Sequence, residues 1–149
     1  MTHEEYMQKA IGAAQASERR DGCAIVGSGM SLVGVIDDVT QHAEISAIKD
    51  ACLKMKTINL EGCTLYGTLE SCGMCLSAAI WANMDAVYFG AYAADVPKNK
   101  YEYKNYSSEK LAAMSRRWNG EPVEVSGGIL RTECAALLEL YVDWQKVVL

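Results

Sequence analysis

No stretch of the 149 residues approaches the roughly 20 consecutive apolar positions needed to cross a bilayer, so a membrane protein is not expected. Basic residues are scarce. Fourteen Lys and Arg stand against nineteen Asp and Glu, a formal net charge of −5, which disfavours broad contact with phosphate backbones because such binding draws on clustered cations. A local basic patch around Lys98, Lys100 and Lys104 is the exception to watch. There is no internal repeat and no low-complexity tract, which removes solenoids and arrays. The opening Thr2-His3-Glu4-Glu5 is acidic and polar, unlike a signal peptide. A cytoplasmic location is expected. There the six cysteines, Cys23, Cys52, Cys63, Cys72, Cys75 and Cys134, read as reduced thiols and not as a disulfide framework.

Half of the chain is apolar and 22% is charged. A chain of this length is expected to fold as a single domain over residues 1–149, burying roughly 70% of its unfolded surface. Thr2 with Glu5 forms a capping box for a first helix running to Arg20, in which Tyr6, Met7, Ala10, Ile11 and Ala14 recur at helical spacing. Cys23 to Val26 and Leu32 to Ile36 read as short strands, with Gly27-Ser28-Gly29 as the turn of a hairpin. His42 to about Met55 is helical, its apolar stripe read at Ile45, Ile48, Ala51, Cys52 and Met55. Cys63 to Thr68 then reads as a strand, Gly73 to Asn83 as a buried helix and Ala86 to Ala91 as another strand, an order that implies parallel pairing. Tyr92 to Tyr106 has no clear period and reads as a loop or lid. Ser107 opens a helix, Pro122 to Ser126 suggests a last strand, and Leu130 to Trp144 a closing helix.

Two clusters carry chemistry: His42-Ala43-Glu44 and Glu70-Ser71-Cys72-Gly73-Met74-Cys75. Each lies where a loop or strand hands over to a helix. Helix N-termini carry positive potential and free N–H groups, which favour thiolate over thiol and so favour metal ligation. Between Glu44 and Cys72 the chain has room for one helix and one returning strand, so the two helix starts become neighbours. One imidazole and two thiolates would then surround a common point and leave a fourth tetrahedral position to water, the arrangement of a catalytic zinc. Water on such an ion has its pKa lowered towards about 7. Glu44, two residues past the histidine, is placed to accept its proton and return it to a ring nitrogen and a departing amine. Taken alone, Cys-x-x-Cys also suits a redox pair or half of a structural zinc site, with Cys23 or Cys63 as further ligands. The upstream His-x-Glu has no use in a redox site.

His-x-Glu joined to a downstream Cys-x-x-Cys is the zinc-deaminase signature. On the stretches Gln41-His-Ala-Glu-Ile45, Thr64-Leu-Tyr-Gly-Thr-Leu-Glu70, Cys72-Gly-Met-Cys75, Val87-Tyr-Phe-Gly-Ala91, Gly127-Gly-Ile-Leu130 and Glu133-Cys-Ala135, the chain resembles the cytidine deaminase-like superfamily, in its branch of cytosine, guanine and tRNA-adenosine deaminases. The resemblance implies an α/β fold, three-layer α/β/α with a five-stranded mixed sheet, and a homo-oligomer such as a dimer. It also implies one Zn2+ on His42, Cys72 and Cys75, with Glu44 as the proton shuttle.

Two departures bear on the site. Ser71 stands where the family has proline, and a serine there can cap the helix. No Asn lies between Cys23 and His42, where the family has one that holds the substrate's polar edge. Asp37, Asp38 or Gln41 are the candidates to replace it, and Ala43, Trp81, Tyr101 and Tyr103 are further candidate substrate contacts. For Trp81 core packing is the plainer role, and for Tyr101, Tyr103 and Tyr106 a surface or subunit contact. His3 reads as solvated, and Trp118 and Trp144 as core or interface anchors.

The expected activity is hydrolytic release of ammonia from a nucleobase or base-like small molecule, with a cytosine, isocytosine or guanine-like ring. The alternative within the same chemistry is deamination of a tRNA wobble adenosine. A second alternative is a zinc-binding relative without turnover, a reading that leaves Glu44 without a purpose.

Overall fold

The computed structural model describes residues 1–16, 22–24, 28–30, 36, 38–97 and 107–139. Helix α1, His3–Ala16, starts as the capping box predicts: the Thr2 N–H donates to Glu5 Oε2 at 2.7 Å and the Glu5 N–H to Thr2 Oγ1 at 3.2 Å. Strands β1, Gly22–Ala24, and β2, Ser28–Met30, are antiparallel, with Ala24 opposite Ser28. The hairpin is present but its register differs from the expected one. Ser28 and Gly29 belong to the second strand and not to the expected turn. The expected strand at 32–36 lies outside the described residues, apart from a turn at Ile36.

Helix α2, Ala43–Met55, leads to β3, Thr64–Leu69; helix α3, Gly73–Trp81, leads to β4, Ala86–Ala91. A short 3-10 turn covers Ala93–Asp95, and α4, Ser108–Met114, is capped by the Ser107 hydroxyl, which accepts from the Lys110 N–H. Strand β5, Glu124–Ser126, and helix α5, Arg131–Glu139, complete the described chain. β3 pairs parallel with β4, and β4 parallel with β5; β1 runs antiparallel to β3, so the strands lie in the order β2-β1-β3-β4-β5. The strand, helix, strand reading of the sequence thus yields the parallel pair it implied.

Alternation along the strands sends successive side chains to opposite faces. Leu65 and Val87 pack with Ala47, Ile48 and Ala51 of α2, Leu76 and Ala79 of α3 and Ala112 of α4. Tyr66 and Tyr88 face Met7, Ala10, Ile11 and Ala14 of α1 and Cys134, Leu137 and Leu138 of α5. Helices therefore cover both faces. On α1 the buried residues are those that the spacing marked. On α2 Ile48 and Ala51 of the expected stripe are buried, but Ala43, Glu44 and Ala47 complete the buried face, while Met55 is exposed. Small residues let this helix lie close to the sheet, and the resulting rotation turns Glu44 inward.

α3 is not buried all round as its composition suggested. Met74, Ser77 and Trp81 form an exposed edge, and Trp81 is 80% exposed, not packed in the core. Trp118 is also exposed. His3 is more than a solvated residue: its Nδ1 lies 2.8 Å from the Tyr66 hydroxyl, and its ring meets Tyr88 edge-on at 4.6 Å. Trp144 and Tyr106 lie outside the described residues. Among the described residues, no helix is long and apolar enough to cross a membrane.

Close approach explains two glycines. A Cβ on Gly90 in β4 would stand 2.2 Å from Cys134 Sγ, and one on Gly127 would stand 2.1 Å from the Phe89 ring. These contacts let α5 and the strand-end loop settle directly on β4.

Candidate metal centre and active site

His42 and Cys72 are the N-caps of α2 and α3, both with extended backbone, and neither spends its side chain on capping. Cys75 lies one turn into α3, so the Cys-x-x-Cys spacing brings both sulfurs to the same side of the helix start. α2 and α3 pack side by side in the same core, which brings their N-termini together. The Cys72 and Cys75 sulfurs are 3.6 Å apart; His42 Nδ1 is 3.7 Å from Cys72 Sγ and 3.5 Å from Cys75 Sγ. Cys72 and Cys75 are buried and His42 is half-buried.

These distances test whether zinc fits. Zinc bonds of about 2.3 Å to sulfur and about 2.0 to 2.1 Å to nitrogen, set tetrahedrally, place two sulfurs about 3.8 Å apart and a nitrogen about 3.6 Å from each sulfur. All three separations match. The donor set is also right in kind, one imidazole and two thiolates. With Cys72 ionised, the Cys75 thiol donates to it, and His42 adds a second favourable contact; the Cys72 thiol is thereby drawn down to about 3. Burial works in the opposite sense and is outweighed.

A fourth protein ligand is not at hand among the described residues, where this trio is the one grouping that could hold an ion. Cys63 stands at the opposite end of β3, with its thiol 3.9 Å from Met55 Sδ, and burial pushes that thiol up. Cys134 packs under β4 and is pushed up to about 11, again by burial. Neither is suited to ligation.

Glu44 is 8% exposed, on the inward face of α2 two residues past His42. Ala43, between them, is buried. Ser71 is a different matter from the expected cap. Cys72 itself occupies the N-cap position, and Ser71 Oγ is buried with no hydrogen-bond partner among the described residues. The Asp38 carboxylate is taken up within its own loop: Oδ1 accepts from the Thr40 N–H at 2.9 Å and the Thr40 hydroxyl at 2.7 Å, and Oδ2 accepts from Gln41 Nε2 at 3.2 Å. Those bonds hold its carboxyl below the usual range. They also shape the turn that delivers His42. Gln41 is half-buried beside His42. Trp81 does not join the cluster; it sits on the solvent side at the far end of α3. Asp37, Tyr101 and Tyr103 lie outside the described residues.

Glu70 opens the second motif, but the motif assigns it no role; its carboxylate receives three hydrogen bonds from chain 23 and 38 residues away. A carboxylate directly before a metal turn was the available signal.

The sequence profile of the family described as the cytidine and deoxycytidylate deaminase zinc-binding region matches residues 1–91. The chain belongs to this family of zinc-binding deaminases. It is accordingly an enzyme, a hydrolase of C–N bonds with zinc as cofactor. The guanine deaminase of Bacillus subtilis strain 168 is 32% identical over 114 residues, covering 68% of this chain and 72% of the relative. The tRNA-specific adenosine deaminase of the same strain is 31% identical over 152 aligned positions, covering 95% of this chain and 89% of the relative. Among solved structures, the guanine deaminase of Nitrosomonas europaea superposes with a TM-score of 0.73 at 23% identity, over 93% of this chain and 83% of that one, a likeness of fold.

Proposed function

We propose that this deaminase acts on a free nucleobase or base-like small molecule with a cytosine, isocytosine or guanine-like ring, with Glu44 as its catalytic proton carrier. The observation that carries the reading is the pairing of the His42, Cys72 and Cys75 cluster with an inward, buried Glu44 two residues from the first ligand. The same reading takes the chain as a single domain, with a five-stranded sheet between two helix layers, working in the cytoplasm as a homo-oligomer.

Zinc held by those three side chains supplies Lewis acidity that makes water a nucleophile near neutral pH. Glu44 takes a proton from the water and delivers it to the ring nitrogen next to the reacting carbon. It then carries a second proton to the exocyclic amine. The carbon gains an oxygen and loses its amine, so one water is consumed and one ammonia released, with the carbonyl left on the ring. Because the ring nitrogen and the amine are both bonded to the reacting carbon, a single carboxyl can serve as base and then as acid. Burial of Glu44 keeps bulk water from competing for those protons.

The net charge of −5 supports a small substrate over a polyanion. Gln41, half-buried beside His42, is the described polar side chain best placed for the missing Asn. Its Nε2 faces an acceptor-only carboxylate, which fixes the amide's orientation. Wobble-adenosine deamination is the second reading, favoured by the 95% coverage in the alignment with the tRNA-specific relative.

The test is ammonia release from cytosine, isocytosine, guanine, adenine and their nucleosides by zinc-loaded protein. At least one free base should react, and Glu44→Gln should lower turnover by about 10² to 10⁴ while zinc stays bound. Silence across the panel, with turnover of a tRNA anticodon stem that falls steeply with added salt, would replace the free-base reading by the tRNA one.

A further inference from the structure

We propose that Glu70 is a positioning residue for the substrate pocket, its carboxylate holding the chain after β4 and the start of α4 against the turn that carries Cys72 and Cys75. The inference rests on the deaminase reading above.

Glu70 follows β3 directly and precedes Cys72 by two residues. Its own N–H donates to the Ala91 carbonyl at 2.8 Å, extending the ladder in which Leu69 faces Ala91. The side chain then reaches across. Oε2 accepts from the Ala93 N–H at 3.0 Å, while Oε1 accepts from the Ser108 N–H at 2.8 Å and from the Ser108 hydroxyl at 2.9 Å. Ser108 is fully buried. Hydrogen bonds to an ionised carboxylate are roughly twice as strong as neutral ones. Three of them converge here from two separate segments. A solvated glutamate at a strand end would not gather such partners.

The location gives the tie its meaning. In sheets with parallel strands, ligands settle outside the carboxyl ends of the strands. β3 and β4 end at Leu69 and Ala91, next to Cys72 on one strand and Ala93 on the other. Residues 92–96 and the first turn of α4 therefore border the sheet end that holds the metal ligands. A second anchor fixes the same stretch from behind. Arg131 donates to both Asp95 carboxylate oxygens, at 2.6 and 2.9 Å, and lies over the Tyr92 ring. Glu70 thus sets the spacing between the ligand turn and the facing border without needing to touch the metal. His42 and Glu44 hang on α2 and do not depend on it. Loss of the tie should disturb how substrate is held more than the chemical step.

The experiment uses zinc-loaded protein with Glu70→Gln and, as a milder variant, Ser108→Ala. The amide side chain keeps one acceptor oxygen and turns a donor towards an N–H, whereas Ser108→Ala removes only the hydroxyl bond. Amide hydrogen exchange at Ala93 and Ser108 should speed up by about tenfold or more in Glu70→Gln, with the amides of α2 unchanged. Zinc content should be unaltered. For a free base turned over by the parent protein, KM should rise about tenfold with kcat within about threefold, and Ser108→Ala should show a smaller effect in the same direction. Unchanged exchange at Ala93 and Ser108 overturns the tie. Faster exchange with an unchanged KM overturns the pocket role, as does loss of zinc together with kcat. If the parent protein turns over no free base, the free-base reading fails and the pocket role for a free base with it, while the exchange result still decides the tie.

Discussion

His42 Nδ1 and Cys75 Sγ are 33 residues apart in the chain and 3.5 Å apart in space. Two helix starts, packed side by side, make that contact, and the Cys72 sulfur closes the triangle at 3.6 Å from Cys75. A metal held there links α2 to α3, so binding and folding are coupled. Purified protein should carry about one zinc per chain, and Cys75→Ala should lose it and melt at a lower temperature. Cys63→Ala should keep the full complement, since that thiol sits at the other end of β3. Elemental analysis beside a melting curve checks both; full zinc occupancy in Cys75→Ala would refute the ligand set.

Ser71 offers a test of opposite sign. The residue is 1% exposed, and its buried hydroxyl lacks a partner among the described residues. An unsatisfied buried hydroxyl costs about 1 to 3 kcal/mol, so Ser71→Ala should raise stability by about 1 kcal/mol in urea unfolding of the zinc-loaded protein. A loss of stability instead would mean that the hydroxyl is bonded in solution.

The metal ligands were legible because their chemistry demands particular residue types at helix starts, and local spacing reports such positions. Glu44 is marked by its spacing from His42 at the same helix start, and its role as proton carrier is the proposal made above. The apolar stripe on α2 marks Ile48 and Ala51 correctly but also takes in Ile45 and Met55, while Ala43 and Ala47, which lie on the buried face, escape it. Alanine gives a weak hydrophobic signal, so the rotation of that helix stays hidden from periodicity. Trp81 misleads in the converse way, being large and apolar yet exposed at the end of α3. Glu70 was invisible as an anchor since its partners come from Ala93 and Ser108, mostly through backbone N–H groups that sequence does not distinguish. The hairpin slipped for a similar reason: glycine and serine at 28–29 fit a turn or a short strand equally well, and pairing with Cys23 and Ala24 of β1 decides.

Gly90 should tolerate no side chain. Its missing Cβ is filled by Cys134, with Sγ at 2.2 Å and Cβ at 2.6 Å from the position a methyl would take. Gly90→Ala must push α5 off the sheet, at a cost of about 1 to 3 kcal/mol. Adding Cys134→Ala should recover part of that loss, because the sulfur goes but the Cβ contact stays. Strictly additive losses in the double variant, read by denaturant unfolding, would show that the two residues do not collide.

Asp95 and Arg131 set a pH dependence whose direction follows from their geometry. The Arg131 guanidinium donates to both carboxylate oxygens, the Tyr92 N–H adds a third bond at 2.8 Å, and together they hold Asp95 below the ordinary carboxylate range. A carboxyl depressed on folding releases its proton more readily in the folded protein, so the unfolded chain binds more protons as the solution is acidified. The stabilisation is therefore complete well above the unfolded value near 3.8 and is lost as pH falls through the lower folded value. Asp95→Asn should melt below the parent at pH 7, and the gap should close in the acid range below pH 4 or so. Because Arg131 is exposed, salt should shrink the gap at pH 7 as well. A difference that persists unchanged into acid would assign the effect of Asp95→Asn to lost packing or backbone contacts and not to the charge.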